Sequence, residues 1–79
     1  MLEVKDGRQL RAARVLLAMS RDALAKRSSL SPVTVTRLEQ TPPGQEFSGN
    51  IATLTRLLGT LEAEGIRFVS GGVVRERRV

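Results

Sequence analysis

The sequence predicts a mainly α-helical domain of four helices, closed by a short C-terminal β-hairpin or strand. Three observations carry that prediction. Apolar residues recur at helical spacing in four segments, serine, proline and glycine signals separate those segments, and after Gly65 the spacing becomes extended. Seventy-nine residues suffice for a single domain, and at this size only about 60% of the unfolded surface is buried, so the core is thin. Residues 7–64 are expected to form the helical core and residues 66–79 a β segment.

The first helix is expected from Gly7 to Met19, where Leu10, Ala13 and Leu17 share a face with Leu16 beside them. Ser20 suits the cap of a second helix, Arg21 to Arg27, and Asp22 in its first turn complements the helix dipole. The run from Ser28 to Ser31 interrupts the pattern. Ser31-Pro32 restarts it with a cap and a proline at the first helical position, where the missing N–H costs nothing. This third helix runs to about Gln40 with Val35 and Leu38 inward, and Thr41-Pro42-Pro43-Gly44 stops it.

Phe47 is the only bulky apolar residue of the following loop. Asn50 or Ser48 then caps a fourth helix whose stripe is Ile51, Leu54, Leu57, Leu58 and Leu61, ended by Gly65 as a left-handed cap. Beyond it, Ile66–Val69 and Val73–Val79 flank Ser70-Gly71-Gly72 as a hairpin with a glycine-rich turn.

The chain has no cysteine or histidine, which removes disulfides, thiolate chemistry and the commonest metal ligand and general base. No metal, no cofactor and no enzymatic activity are expected. No apolar run approaches the roughly 20 residues of a membrane span, and the first residues lack the apolar stretch of a secretory signal. A cytoplasmic location without a membrane partner is the resulting expectation. The net charge is +5, and its distribution is telling. Arg8, Arg11, Arg14, Arg21, Lys26, Arg27 and Arg37 face a single acid, Asp22, in one contiguous segment. Such a field suits nucleic acid. With Phe47 and Phe68 as the only aromatics, there is no platform for stacking unpaired bases, which favours duplex DNA over RNA.

Two short helices joined by a tight turn, the second opened by a strong cap, make a helix-turn-helix arrangement. From Gly7 to Phe68 the chain resembles the Cro and lambda-repressor-like (XRE) family of regulators. The resemblance lies in SRDALAKRSSLSPVTVTRLEQ, residues 20–40, and in IATLTRLLGTLEAEGIRF, residues 51–68. Positions matching Leu24, Leu30, Val35 and Leu38 pack the motif in that family, and the position matching Ala25 stays small where the two helices cross. This sequence departs from the pattern at Ser29, where glycine is usual, and in the longer Thr41–Gly49 loop with its Pro-Pro pair. Serine in a left-handed turn costs about 1 kcal/mol.

The resemblance implies a lambda-repressor-like fold and sequence-specific binding of double-stranded DNA by a dimeric transcriptional repressor. The third helix would enter the major groove, with Pro32, Val33, Thr36 and Arg37 towards the bases. Arg37 is the favoured reader, since a guanidinium can pair with both acceptors of guanine, and Val33 suits a thymine methyl. Arg21 and Thr34 are expected on phosphate, with Lys26 and Arg27 adding attraction or lying on a solvated face. Arg14 and Glu39 match positions that often form a structural ion pair.

The C-terminal segment admits four readings. Ile66, Phe68, Val69, Val73 and Val74 can form a homodimer interface suited to paired half-sites, or fold back on the core of their own chain. Alternatively Arg75, Arg77 and Arg78 form a wing on phosphate or a frayed basic end. The alternative function is an antitoxin-like or other protein-interaction module in which DNA binding is secondary.

Overall fold

The computed structural model describes residues 4, 6–47, 49 and 51–76. These form helices α1 (Gly7–Leu16), α2 (Arg21–Ser28), α3 (Pro32–Glu39) and α4 (Ile51–Ala63), then strands β1 (Ile66–Val69) and β2 (Gly72–Arg75). The layout is the mainly helical one expected, with a two-stranded antiparallel hairpin at its C-terminal end.

Each of the first three helices starts on a side-chain cap. The Asp6 carboxylate accepts from the Arg8 N–H at 2.7 Å, the Ser20 hydroxyl from Ala23 N–H at 3.0 Å, and the Ser31 hydroxyl from Thr34 N–H at 3.1 Å. The Arg8 guanidinium, hydrogen-bonded to Asp6, holds that carboxyl below its usual range. The residues proposed to cap α4, Ser48 and Asn50, lie outside the described residues.

The first helix ends at Leu16 rather than Met19. Ala18 turns left-handed (φ 55°), so the Met19 N–H reaches back to Arg14 O at 3.2 Å and the Ala18 N–H to Val15 O at 2.9 Å. This is a Schellman closure, made without the glycine that would mark it in sequence. Ser29 does the same after α2: it is left-handed (φ 57°, ψ 41°), and Leu30 N–H donates to Ala25 O at 2.9 Å. Ser28, expected as a breaker, is instead the last residue of α2, its buried hydroxyl donating to Leu24 O at 2.7 Å.

The core is Leu10 and Ala13 from α1, Leu24 and Ala25 from α2, Val35 and Leu38 from α3, Leu54, Leu57, Leu58 and Leu61 from α4, and Ile66 from β1. Leu17, Met19, Leu30 and Phe47 pack against it. Ile51 departs from the expected stripe: it opens α4 and is exposed.

In the hairpin Ile66 pairs with Arg75, Arg67 with Val74, Phe68 with Val73 and Val69 with Gly72. Gly65 (φ +94°) leads into it as the left-handed cap, close enough to the second strand for Glu76 N–H to donate to Gly65 O at 2.7 Å. The turn is Ser70-Gly71; Gly72 belongs to β2. The hairpin folds back on its own chain. Ile66, proposed for a dimer interface, is only 3% exposed in the core, and Phe68 and Val73 pack beside it. Burial within its own chain thus leaves the Ile66 side chain almost no surface to offer another. The Gln9 amide fixes the hairpin, donating to Val69 O at 2.9 Å and Gly72 O at 3.0 Å.

The N-terminus of α1 abuts the C-terminus of α3. Gly7 N–H donates to Thr41 O at 2.9 Å, and a Cβ on Gly7 would stand 2.1 Å from Glu39 O and 2.5 Å from Leu38 O. Both clashing atoms are backbone, so only a shift of a whole helix relieves them. Gly7→Ala is therefore expected to destabilise the domain by about 3 kcal/mol or more, read as a lower midpoint in urea. Ser29→Gly should act in the opposite direction, raising stability by about 0.5–1 kcal/mol as relief of left-handed strain exceeds the added unfolded-state freedom. A midpoint lowered by Ser29→Gly would contradict the strain assigned to that turn.

Candidate nucleic-acid interface

Helix α3 turns Val35 and Leu38 into the core and leaves the opposite side bare. Pro32, Val33, Thr36 and Arg37, the four residues expected towards bases, border one shallow depression of about 350 Å³ together with Gln40. Val33 is 65% exposed. Arg37 is exposed and has no side-chain partner among the described residues. Gln40 escaped the sequence reading because it stands at the helix end. The signal was present: Val33, Thr36, Arg37 and Gln40 follow i, i+3, i+4, i+7, a single helical face.

The proposed phosphate contacts fall into different settings. Thr34 is half-buried, its hydroxyl 2.8 Å from that of Ser31 at the start of α3. Lys26 is exposed and unpartnered among the described residues. Arg27 is engaged in an ion pair with Glu64, which follows α4, so its charge is largely compensated. That pairing was not legible in sequence, because it joins α2 to a residue just past α4, far along the chain.

Arg21 has a dual setting. Its Nε donates to Glu39 Oε1 at 3.2 Å, while the side chain remains 43% exposed at the N-terminal end of α2. Glu39 is shared. The Arg14 Nε donates to its Oε2 at 2.7 Å and Arg14 Nη2 to its Oε1 at 3.1 Å, the two-pronged geometry that a planar guanidinium makes with a carboxylate. Arg14 Nη1 also donates to Met19 O at 3.0 Å. The Glu39 side chain is 1% exposed. Two guanidinium groups on one carboxylate leave one positive charge in excess. Since Arg14 is largely buried, that excess appears at Arg21.

Among the described residues there is no cluster of three or more metal-ligating side chains and no helix long and apolar enough to cross a membrane. No family model, curated protein or solved structure matches the chain.

Breaking a buried pair strands the remaining charge, at a cost of about 3–5 kcal/mol. Glu39→Ala strands Arg14 in the core and is expected to lower stability by that order, whereas Arg21→Ala, at the exposed end of the same cluster, should cost about 1 kcal/mol or less. Equal losses for the two variants in thermal melts would contradict the division into a buried and an exposed arm.

Proposed function

We propose that this chain is a sequence-specific double-stranded-DNA-binding transcriptional regulator of the helix-turn-helix kind, acting in the cytoplasm as a homodimeric repressor. In this reading α2 and α3 are the two helices of a lambda-repressor-like motif. The observation that carries it is the bare face of α3, where an exposed arginine, a glutamine, a threonine and an exposed valine stand on one side of a helix otherwise anchored in the core.

The chemistry of that face fits a major groove. Arg37 supplies the paired donors that guanine O6 and N7 accept, Gln40 offers the donor and acceptor that adenine requires, and Val33 presents methyl groups to thymine. Pro32 has no N–H and shapes the approach, while Thr36 adds a hydroxyl. Along the rim, Arg21, the first N–H groups of α2 and Thr34 meet phosphate and set the register, and Lys26 strengthens the field. Repression follows from occupancy alone: a duplex covered by protein is closed to polymerase. Paired half-sites about 34–36 Å apart suit a two-fold dimer.

Selection from randomised duplexes tests the reading. Arg37→Ala should weaken the preferred site by about 1–3 kcal/mol and relax the base at one position in each half-site. Arg21→Ala should weaken all sequences alike and flatten the log–log salt dependence by about one unit. A parent affinity that does not change with salt removes the DNA reading altogether.

A further inference from the structure

Arg21 is held from behind. Its side chain is partly exposed at the first position of α2, yet its Nε donates inward to Glu39 Oε1, on a carboxylate that is itself almost wholly buried. An arginine at the exposed start of a helix ordinarily samples many rotamers, and ordering it for a contact costs entropy. Here one bond to a buried anchor restricts that sampling in advance. A guanidinium offers its donors along the edges of a rigid plane. With Nε turned to the carboxylate, the two Nη groups at the far end of the plane stay together as a pair. Neither has a partner among the described residues.

The same carboxylate holds Arg14 in another way. Arg14 donates through Nε and Nη2 to both oxygens and through Nη1 to Met19 O, so every nitrogen of its guanidinium is engaged, and its side chain is 12% exposed. That two-pronged contact already neutralises Glu39. The single bond to Arg21 therefore fixes a direction without withdrawing the charge. Along this line the groups alternate in sign, from Arg14 through Glu39 to Arg21. A phosphate oxygen on the outer end of Arg21 extends the alternation, and each member then strengthens its neighbours in a poorly hydrated setting. Arg27 is the contrast. Its acid, Glu64, has no second cation among the described residues, so there the charge is cancelled rather than aimed.

From this shared carboxylate we infer that Glu39 is a positioning residue for DNA binding. Through the Nε bond it aims the two Nη groups of Arg21 at phosphate oxygens, and the contact requires arginine rather than any cation. The inference rests on the DNA-binding reading and deepens it, since that reading asks only for positive charge at residue 21. Lysine supplies the charge, but its single nitrogen does not meet Glu39 and a phosphate in one fixed geometry.

Titration of the full chain against mixed-sequence duplex DNA tests it, with circular dichroism confirming the fold of each variant. Arg21→Ala should weaken binding about ten-fold, the loss of hydrogen bonds to a charged group. Arg21→Lys should weaken it about five-fold, where a contact set by charge alone would lose nothing. A cycle with Glu39→Gln supplies the second arm. Glutamine keeps the size but has one acceptor oxygen, which the buried Arg14 retains, so Arg21 is the arm released. In that background Arg21→Ala should cost only about two-fold, a coupling that loss of folded protein does not imitate because it lowers both members of the comparison alike. Arg21→Lys binding as tightly as the parent, or Arg21→Ala costing as much beside glutamine as beside glutamate, overturns the inference. Either result leaves duplex binding by α3 in place, whereas a parent whose binding ignores salt removes the DNA reading and this inference with it.

Discussion

The carboxylate of Glu39 is the point on which the helical arrangement turns. It lies at the end of α3, buried, and accepts from Arg14 on α1 and from Arg21 on α2. Arg14 extends the connection to the Met19 carbonyl, in the link between α1 and α2. The backbone carbonyl of Glu39 is the atom against which Gly7 packs. Burying such a pair contributes little net stability, because desolvation offsets most of the attraction. Its effect is on geometry: a planar guanidinium meets a carboxylate in few orientations, so the angle of α3 to α1 is fixed more narrowly than apolar packing alone would fix it. The exposed face of α3 inherits that angle.

A small core gains from this division of labour. Leucines supply most of the buried volume, and leucine packing tolerates rearrangement. Directional contacts at the edges of the core select one arrangement from several of similar volume. Glu39 does so for the three N-terminal helices, Arg27–Glu64 ties α2 to the end of α4, and Gln9 ties α1 to the hairpin.

What was legible in the sequence is what short-range chemistry decides. Ser20, Ser31-Pro32 and Gly65 mark helix ends because capping is a local bargain between a side chain and the nearest free backbone groups. The exposed face of α3 was legible because Val35 and Leu38 define the buried one, whereas the choice of Pro32, Val33, Thr36 and Arg37 came from the register of the resemblance. The end of α1 was not, since Ala18 adopts a left-handed conformation that its own chemistry disfavours and that the surrounding packing imposes. The hairpin was visible as a pattern, but which side of it would be buried was not. Its apolar residues satisfy the same alternation whether they meet a partner or their own core, and only the closeness of α4 and α1 settles Ile66 inward. Arg27 illustrates the same limit for charges, as its compensating acid lies far away in sequence.

Gln9 carries a consequence for the durability of the molecule. Its side-chain amide spends its N–H donors on the carbonyls of Val69 and Gly72, which flank the turn of the hairpin. Hydrolysis of that amide releases ammonia and leaves a glutamate of nearly identical size and shape. The new group, once ionised, only accepts hydrogen bonds, and it would face two carbonyl oxygens in a buried position. Steric fit would be intact and electrostatics reversed, so the turn of the hairpin would loosen from α1 while Ile66 still held its first strand in the core.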